Sequence, residues 1–246
     1  MGEILGVLSG KGGTGKSSVC AGVATALAQS GKRVLCIDCD VGLRSLDISL
    51  GLSDSGGLSF LDVCEGGYPL SGAARHPGYP TLSFLTAPMN RPIEAISPDA
   101  LAQMLGPARS SFDYIFLDAP AGVDAGFRLV SAVADRFLLV TGSGPAAVRD
   151  AARVGDLLEL QGKKNVRLVV NRVDKTMLKA VKLTIDDVMD STGLPLIGIV
   201  PDDYQVPLAA ALGKPLLQSA PRSPSAGAFR RIARRVQGYS QPISWK

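Results

Sequence analysis

The sequence predicts an α/β fold: a doubly wound, mostly parallel sheet with helices on both faces. Three observations predict it. Short, mostly apolar runs recur at residues 4–8, 34–37, 82–85, 114–117, 137–140, 166–170 and 196–200, the pattern of strands covered on both sides. Helical patterns lie between several of them, for example at 19–29, 146–160, 178–189 and 226–237, and such alternation is what a doubly wound sheet requires. Glycine punctuation agrees, since Gly31 and Gly162 follow helical stretches where a left-handed residue closes the last turn. The stretch 66–79, rich in Gly, Pro and Ser, reads as a surface loop. No repeat or long linker appears, so residues 1–246 read as one domain, with 239–246 as a short flexible tail.

The first strand runs into GKGGTGKSS at residues 10–18 and the first helix follows at once. Gly10, Gly15, Lys16 and Ser17 satisfy G-x-x-x-x-G-K-[ST], a complete phosphate-binding loop of the P-loop NTPase kind. Glycines allow the tight turn that aims backbone N–H groups at phosphate oxygens, beside the positive end of a helix. Lys16 is expected on the β- and γ-phosphates and the Ser17 hydroxyl on Mg²⁺. Lys11, early in the loop, is a cation that the general pattern does not require, and it narrows the class.

In an open parallel sheet, ligands sit at the carboxyl ends of the strands. The run 114–117 ends in Asp118, and an apolar strand ending in Asp is the Walker B arrangement that serves the Mg²⁺ shell. The run 34–37 ends in Asp38-Cys39-Asp40, where the two carboxylates face the same way in extended chain. Asp40 opens a turn and is the candidate for positioning the attacking water. Asp38 is assigned to the support of Mg²⁺ or of the loop.

A hydrophobic share of 46%, a charged share of 20% and a net charge of +4 suit a cytosolic globular chain and demand no nucleic acid. The amino-terminal MGEILG carries neither a signal-peptide nor a myristoylation pattern. Cys36 and Cys39 form a C-x-x-C, but VLCIDCD is an apolar strand pattern and no second pair completes a metal site, so they read as buried filler. The only histidine, His76, leaves no triad or His-rich site to assemble.

At these residues the chain resembles the deviant Walker A (ParA/MinD) ATPases, and the MinD-like members most closely. K-G-G-x-G-K-[ST] stands as Lys11, Gly12, Gly13, Thr14, Gly15, Lys16 and Ser17, followed by Ser18. The D-x-D-x-G-L-R-N-L-D segment runs from Asp38 to Asp47 with Ser45 in place of Asn, and F-D-Y-I-x-x-D-x-P-A-G runs from Phe112 to Gly122. Ala147-Val148-Arg149-Asp150 and a strand ending Asn171-Arg172 also match. The resemblance implies a septum-placing ATPase that binds ATP with Mg²⁺, pairs into a homodimer and recruits a division inhibitor or activator. Lys11 would reach the partner's phosphates, Gly122 would donate to the γ-phosphate, and Asn171, Arg172, Pro201 and Asp202 would surround the adenine.

Other readings compete. A ParA-like positioning ATPase would bind DNA through Arg230, Arg231, Arg234 and Arg235 on the last helix, which carries an apolar face opposite. Peripheral contact with the inner face of the cell membrane is a further alternative, but GYSQPISWK at the carboxyl end lacks the family's terminal amphipathic helix. Asn171-Arg172-Val173-Asp174 resembles a guanine-reading N-K-x-D. An iron–sulfur cluster is not expected, because no cysteine follows Cys64.

Overall fold

The computed structural model describes residues 1–53, 57–89 and 91–243. One eight-stranded sheet is built from β1 (Glu3–Leu8), β2 (Val34–Asp38), β3 (Ala74–His76), β4 (Tyr79–Leu85), β5 (Tyr114–Asp118), β6 (Arg136–Thr141), β7 (Val166–Val173) and β8 (Leu196–Pro201). Their spatial order is β3-β4-β2-β5-β1-β6-β7-β8, and every pairing is parallel except β3 with β4. All seven expected strands form. The order reverses around the central β1, so β1, β2 and β5 converge at the switch point where open sheets bind ligands.

On one face lie α1 (Lys16–Gln29), α2 (Leu46–Leu50), α9 (Gln205–Ala211), α10 (Leu216–Ser219) and α11 (Pro224–Val236). The other carries α3 (Phe60–Cys64), α4 (Pro98–Ser111), α5 (Ala125–Val133) and α6 (Pro145–Leu160). Helix α1 is apolar nearly all round and lies buried between sheet and α11; at Gly22 any Cβ would strike the Phe229 ring. Gly31 and Gly162 take φ of 83° and 73° just beyond α1 and α6, as the C′ reading requires.

Two expectations are corrected. The helix expected over 178–189 is two helices, α7 (Lys175–Ala180) and α8 (Ile185–Thr192). Thr184 starts the second with a reciprocal cap: its hydroxyl accepts from the Asp187 N–H while the Asp187 carboxylate accepts from the Thr184 N–H. The stretch 66–79 is not all loop: β3 forms the sheet edge, placing Arg75 opposite Ser83 of β4. His76, next to Arg75, is buried and neutral in character: Gly78 N–H donates to Nδ1 at 3.0 Å, so Nε2 donates to the Leu50 carbonyl at 2.8 Å. Burial lowers its pKa. Cys36 and Cys39 are fully buried, as the apolar run implied.

The basic face of α11 is largely engaged. Arg235 donates to Ile197 O at 2.6 Å and to the carbonyls of Gln241 and Pro242. Ile197 stands where the β7–β8 register slips, so this guanidinium satisfies a bulge carbonyl at the edge strand. Arg230 donates to Pro221 O at 2.6 Å, and Arg234 lies over the Tyr239 ring. Of the tail expected at 239–246, the part at 241–242 is therefore held, while 244–246 lie outside the described residues. No helix among the described residues is long and apolar enough to cross a membrane.

Candidate nucleotide site

The carboxyl ends of β1, β2 and β5 and the start of α1 enclose a cleft of about 180 Å³ lined by Lys11, Thr14, Lys16, Ser17, Asp40 and their neighbours. Gly13 and Gly15 turn the loop at φ of 78° and 82°, in the left-handed region open to glycine. At Gly15 a side chain would also collide with the Asn171 amide. The turn leaves the N–H groups at the start of the fourteen-residue α1 facing an anion site.

Beneath the loop sits a buried ion pair. Lys16 Nζ lies 2.7 Å from Asp118 Oδ1, with side-chain exposures of 7% and 0%. Burial alone would lower the Lys16 pKa, but the Asp118 charge and hydrogen bond outweigh it and the net direction is upward. Burial raises Asp118 against the pull of Lys16. Asp118 keeps one oxygen, Oδ2, buried without a hydrogen-bond partner, and Thr14 Oγ1 is likewise orphaned. Buried polar atoms are rarely left unpaired, so these two remain able to take a partner at the loop and the strand end; Arg44 Nε is the third such atom among the described residues. The Ser17 hydroxyl lies 2.8 Å from that of Ser45.

Asp40 is 7% exposed, and its Oδ1 accepts from the N–H groups of Gly42 and Leu43, forming the expected turn at the cleft wall. Asp38, expected to support Mg²⁺ or the loop, is tied to the backbone on both oxygens. Its two oxygens accept the N–H groups of Asp40 (2.8 Å) and Leu46 (3.2 Å), so it clasps the turn from below. Burial, then the Asp118 charge, push its pKa up to about 7. Gly122, at φ 97°, donates its N–H to Ser9 O at 2.9 Å, a bond that must open before a phosphate could use that N–H. The Lys11 side chain is exposed, and no carboxylate pairs with it among the described residues.

A second hollow of about 400 Å³ shares Gly15 and Ser18 with the first and is lined by Asn171, Arg172, Pro201 and Asp202. Asn171, 4% exposed, donates to Thr14 O at 2.7 Å and so ties β7 to the phosphate loop. Arg172, with φ 54°, lies 3.5 Å from Asp202 at the solvent-exposed rim. The carbonyl of Pro201 accepts from the Ser225 hydroxyl. Asp174 lies outside this lining; it caps α7 by accepting from the N–H groups of Thr176 and Met177, which turns its carboxylate away from a guanine-reading role. Sequence reasoning missed two participants. Ser45 contacts the expected metal ligand, and exposed Tyr204 offers an aromatic face to the second hollow. An aromatic residue directly after the strand-end VPDD was the only signal for Tyr204.

The residues present fit Mg²⁺ with a phosphate. One unspent carboxylate oxygen and one serine hydroxyl suit an ion that binds through few protein ligands and completes its shell with phosphate and water. No cluster of three or more His, Cys, Asp or Glu forms a metal site among the described residues.

Residues 5–216 match the model of the CobQ/CobB/MinD/ParA nucleotide binding domain. The septum site-determining protein MinD of Synechocystis sp. is 38% identical over 245 residues, covering 99% of this chain and 92% of that protein. Its namesake from Bacillus subtilis is 36% identical over 249 residues, covering 99% and 92%. Among solved structures, the MinC:MinD cell division protein complex of Aquifex aeolicus superposes with a TM-score of 0.90 at 34% identity, covering 98% of both chains. MinD of Pyrococcus horikoshii, solved with Mg-ADP, gives 0.83 at 26% identity, covering 96% of both chains. Joined to a complete phosphate loop at the switch point of the sheet, these likenesses make the chain a member of the CobQ/CobB/MinD/ParA nucleotide-binding family, on its MinD-like branch.

Proposed function

We propose that this chain is a MinD-like, Mg²⁺-dependent ATPase that places the division septum, cycling between an ADP monomer and an ATP homodimer. One observation carries the reading: a phosphate loop lines a cleft with Lys11, which has no carboxylate partner among the described residues, and with Lys16, which is paired beneath the loop with Asp118 and its unspent carboxylate oxygen. MinD-type relatives over nearly the whole chain support the process, and a relative solved with MinC supports an inhibitor partner.

In this reading Lys16 holds the β- and γ-phosphates when Asp118 yields it, and the loop N–H groups fix the phosphate chain. Mg²⁺, when bound, would supply neutralisation of the charge that develops on the phosphates. Ser17 and Asp118 would hold it, with Ser45 orienting the serine hydroxyl. Asp40, pinned through one oxygen, presents its carboxylate to order a water for in-line attack. Asn171, Arg172, Pro201 and Asp202 border the base. Lys11 crosses to the second subunit, placing a cation where negative charge gathers.

DNA binding through α11 is the weaker reading, since Arg230, Arg234 and Arg235 already have partners within the chain. The test of the switch is light scattering after gel filtration with ATP and Mg²⁺. The wild type is expected to shift to a dimer with ATP and not with ADP. Lys11→Ala should bind ATP yet stay monomeric; a normal ATP-dependent dimer from that variant would end the cross-subunit role.

A further inference from the structure

A cleft of about 390 Å³ opens at the opposite end of the sheet from the nucleotide site, where β2 and β5 begin. Five residues of β2 separate the two ends, roughly 16 Å of strand. The floor is the sheet itself. Arg75 of edge strand β3 stands opposite Ser83 of β4, and Arg33, just before β2, lies in the row beside Thr81. The end of α4 forms one wall with Ser111, and the turn at Leu70–Gly72 forms the other with Ser71.

The polar groups of this cleft are unsatisfied in one direction. Arg75 is exposed and has no carboxylate or carbonyl partner, and the hydroxyls of Ser71, Ser83 and Ser111 have no hydrogen-bond partner, among the described residues. Ser83 is 8% exposed, so its free hydroxyl is a built feature of the floor. Arg33 spends its charge on Asp113 at 2.8 Å, which leaves Arg75 as the uncompensated cation of the lining. No Asp or Glu lines the cleft, while Leu70, Ala73, Pro80 and Phe112 give it an apolar side. A concave site of this size, with few convergent polar groups on an apolar lining, has the form of a small-ligand pocket.

We propose that this cleft binds a small organic anion, with a carboxylate or phosphate head on Arg75 and Ser83 and an apolar body against Phe112 and Leu70. An anionic head matches the guanidinium and gives the serine hydroxyls an acceptor. The body buries the apolar wall that a free inorganic ion would leave wet. The site is independent of the nucleotide reading, since it shares no lining residue with either hollow of that cleft.

The experiment is a residue-resolved NMR titration of the full chain saturated with Mg-ADP, which keeps anionic probes off the phosphate loop. Phenyl phosphate and benzoate test the two head groups; benzyl alcohol and inorganic phosphate supply the body or the head alone. Saturable shifts at the amides of Arg75, Ser83 and Ser111 are expected with at least one intact anion. The alcohol and the bare phosphate should bind at least tenfold more weakly. Arg75→Gln, at an exposed position, should weaken binding at least tenfold, and Ser83→Ala several-fold. No saturation with either aromatic anion, or equal affinity in Arg75→Gln, would overturn the proposal. Failure of Mg-ADP to bind would show separately, at residues 12–17, and the shifts around Arg75 would still decide the question.

Discussion

The two halves of the nucleotide cleft are built on opposite principles. The phosphate half is dry and charged, with Lys16, Asp38 and Asp118 buried within one network of carboxylates and a single ammonium. The base half is open, and its one ion pair among the described residues, Arg172 with Asp202, is more than half exposed at 3.5 Å. A buried charge is costly to leave unpaired, whereas an exposed pair contributes about 0–1 kcal/mol. The contrast teaches where the protein stores its electrostatic tension. The phosphate end is strained by its own carboxylates, while the base end offers shape and asks little of stability.

The strongest way to break that contrast is Lys16→Ala. It removes the phosphate cation and strands Asp118, and breaking a buried pair typically costs about 3–5 kcal/mol. Nucleotide affinity is expected to fall at least a hundredfold, with a loss of thermal stability measurable by calorimetry. Unchanged ATP affinity would remove Lys16 from the site.

A second test reads the strain directly. Asp38 has a folded pKa of about 7 against 3.8 for a free side chain, so between these values the folded state holds a proton that the unfolded state has released. Stability present at low pH is therefore lost as pH rises through that window, by on the order of 4 kcal/mol. His76, with a lowered pKa, acts in the opposite sense just below 6.5. Asp38→Asn isolates the carboxylate. In EDTA and without nucleotide, the unfolding free energy of wild type minus that of Asp38→Asn should decline from pH 4 to pH 7. A flat difference would mean that Asp38 is not strained.

The smallest effect is expected at the open end. Arg172→Ala should change stability by less than about 0.5 kcal/mol and ATP affinity only a few-fold. A hundredfold loss would show that the rim holds the nucleotide as firmly as the floor does.

The same contrast governs what could be read without coordinates. The phosphate half was legible because its chemistry is local: Lys11 to Ser18 is one continuous motif, and Asp118 ends its strand as parallel-sheet logic demands. The strands were legible for the same reason, each being a short apolar run between helices. What escaped depends on contacts between distant segments. The Ser17–Ser45 hydrogen bond spans 28 positions, and Asn171 reaches 157 positions back to the Thr14 carbonyl. Gly122 read as a phosphate donor because its motif says so, yet its N–H is taken by Ser9, a backbone pairing invisible to residue type. Asp38 read as a support of Mg²⁺ or of the loop because a carboxylate near a phosphate loop invites it, while the clasp made through its two backbone donors has no sequence signal. Edge strand β3 was hidden inside a Gly- and Pro-rich stretch, where pairing with β4 overrides local propensity.

The guanidinium of Arg235 joins the carbonyls at Gln241 and Pro242 to the start of β8, and the far end of β8 is Pro201, at the border of the base hollow. Traction applied beyond Pro242 would therefore reach α11 along the backbone and, through the Arg235 guanidinium, a six-residue strand that ends at the base hollow. In mechanical terms, the carboxyl-terminal end of this fold is a tiller fixed to the rim.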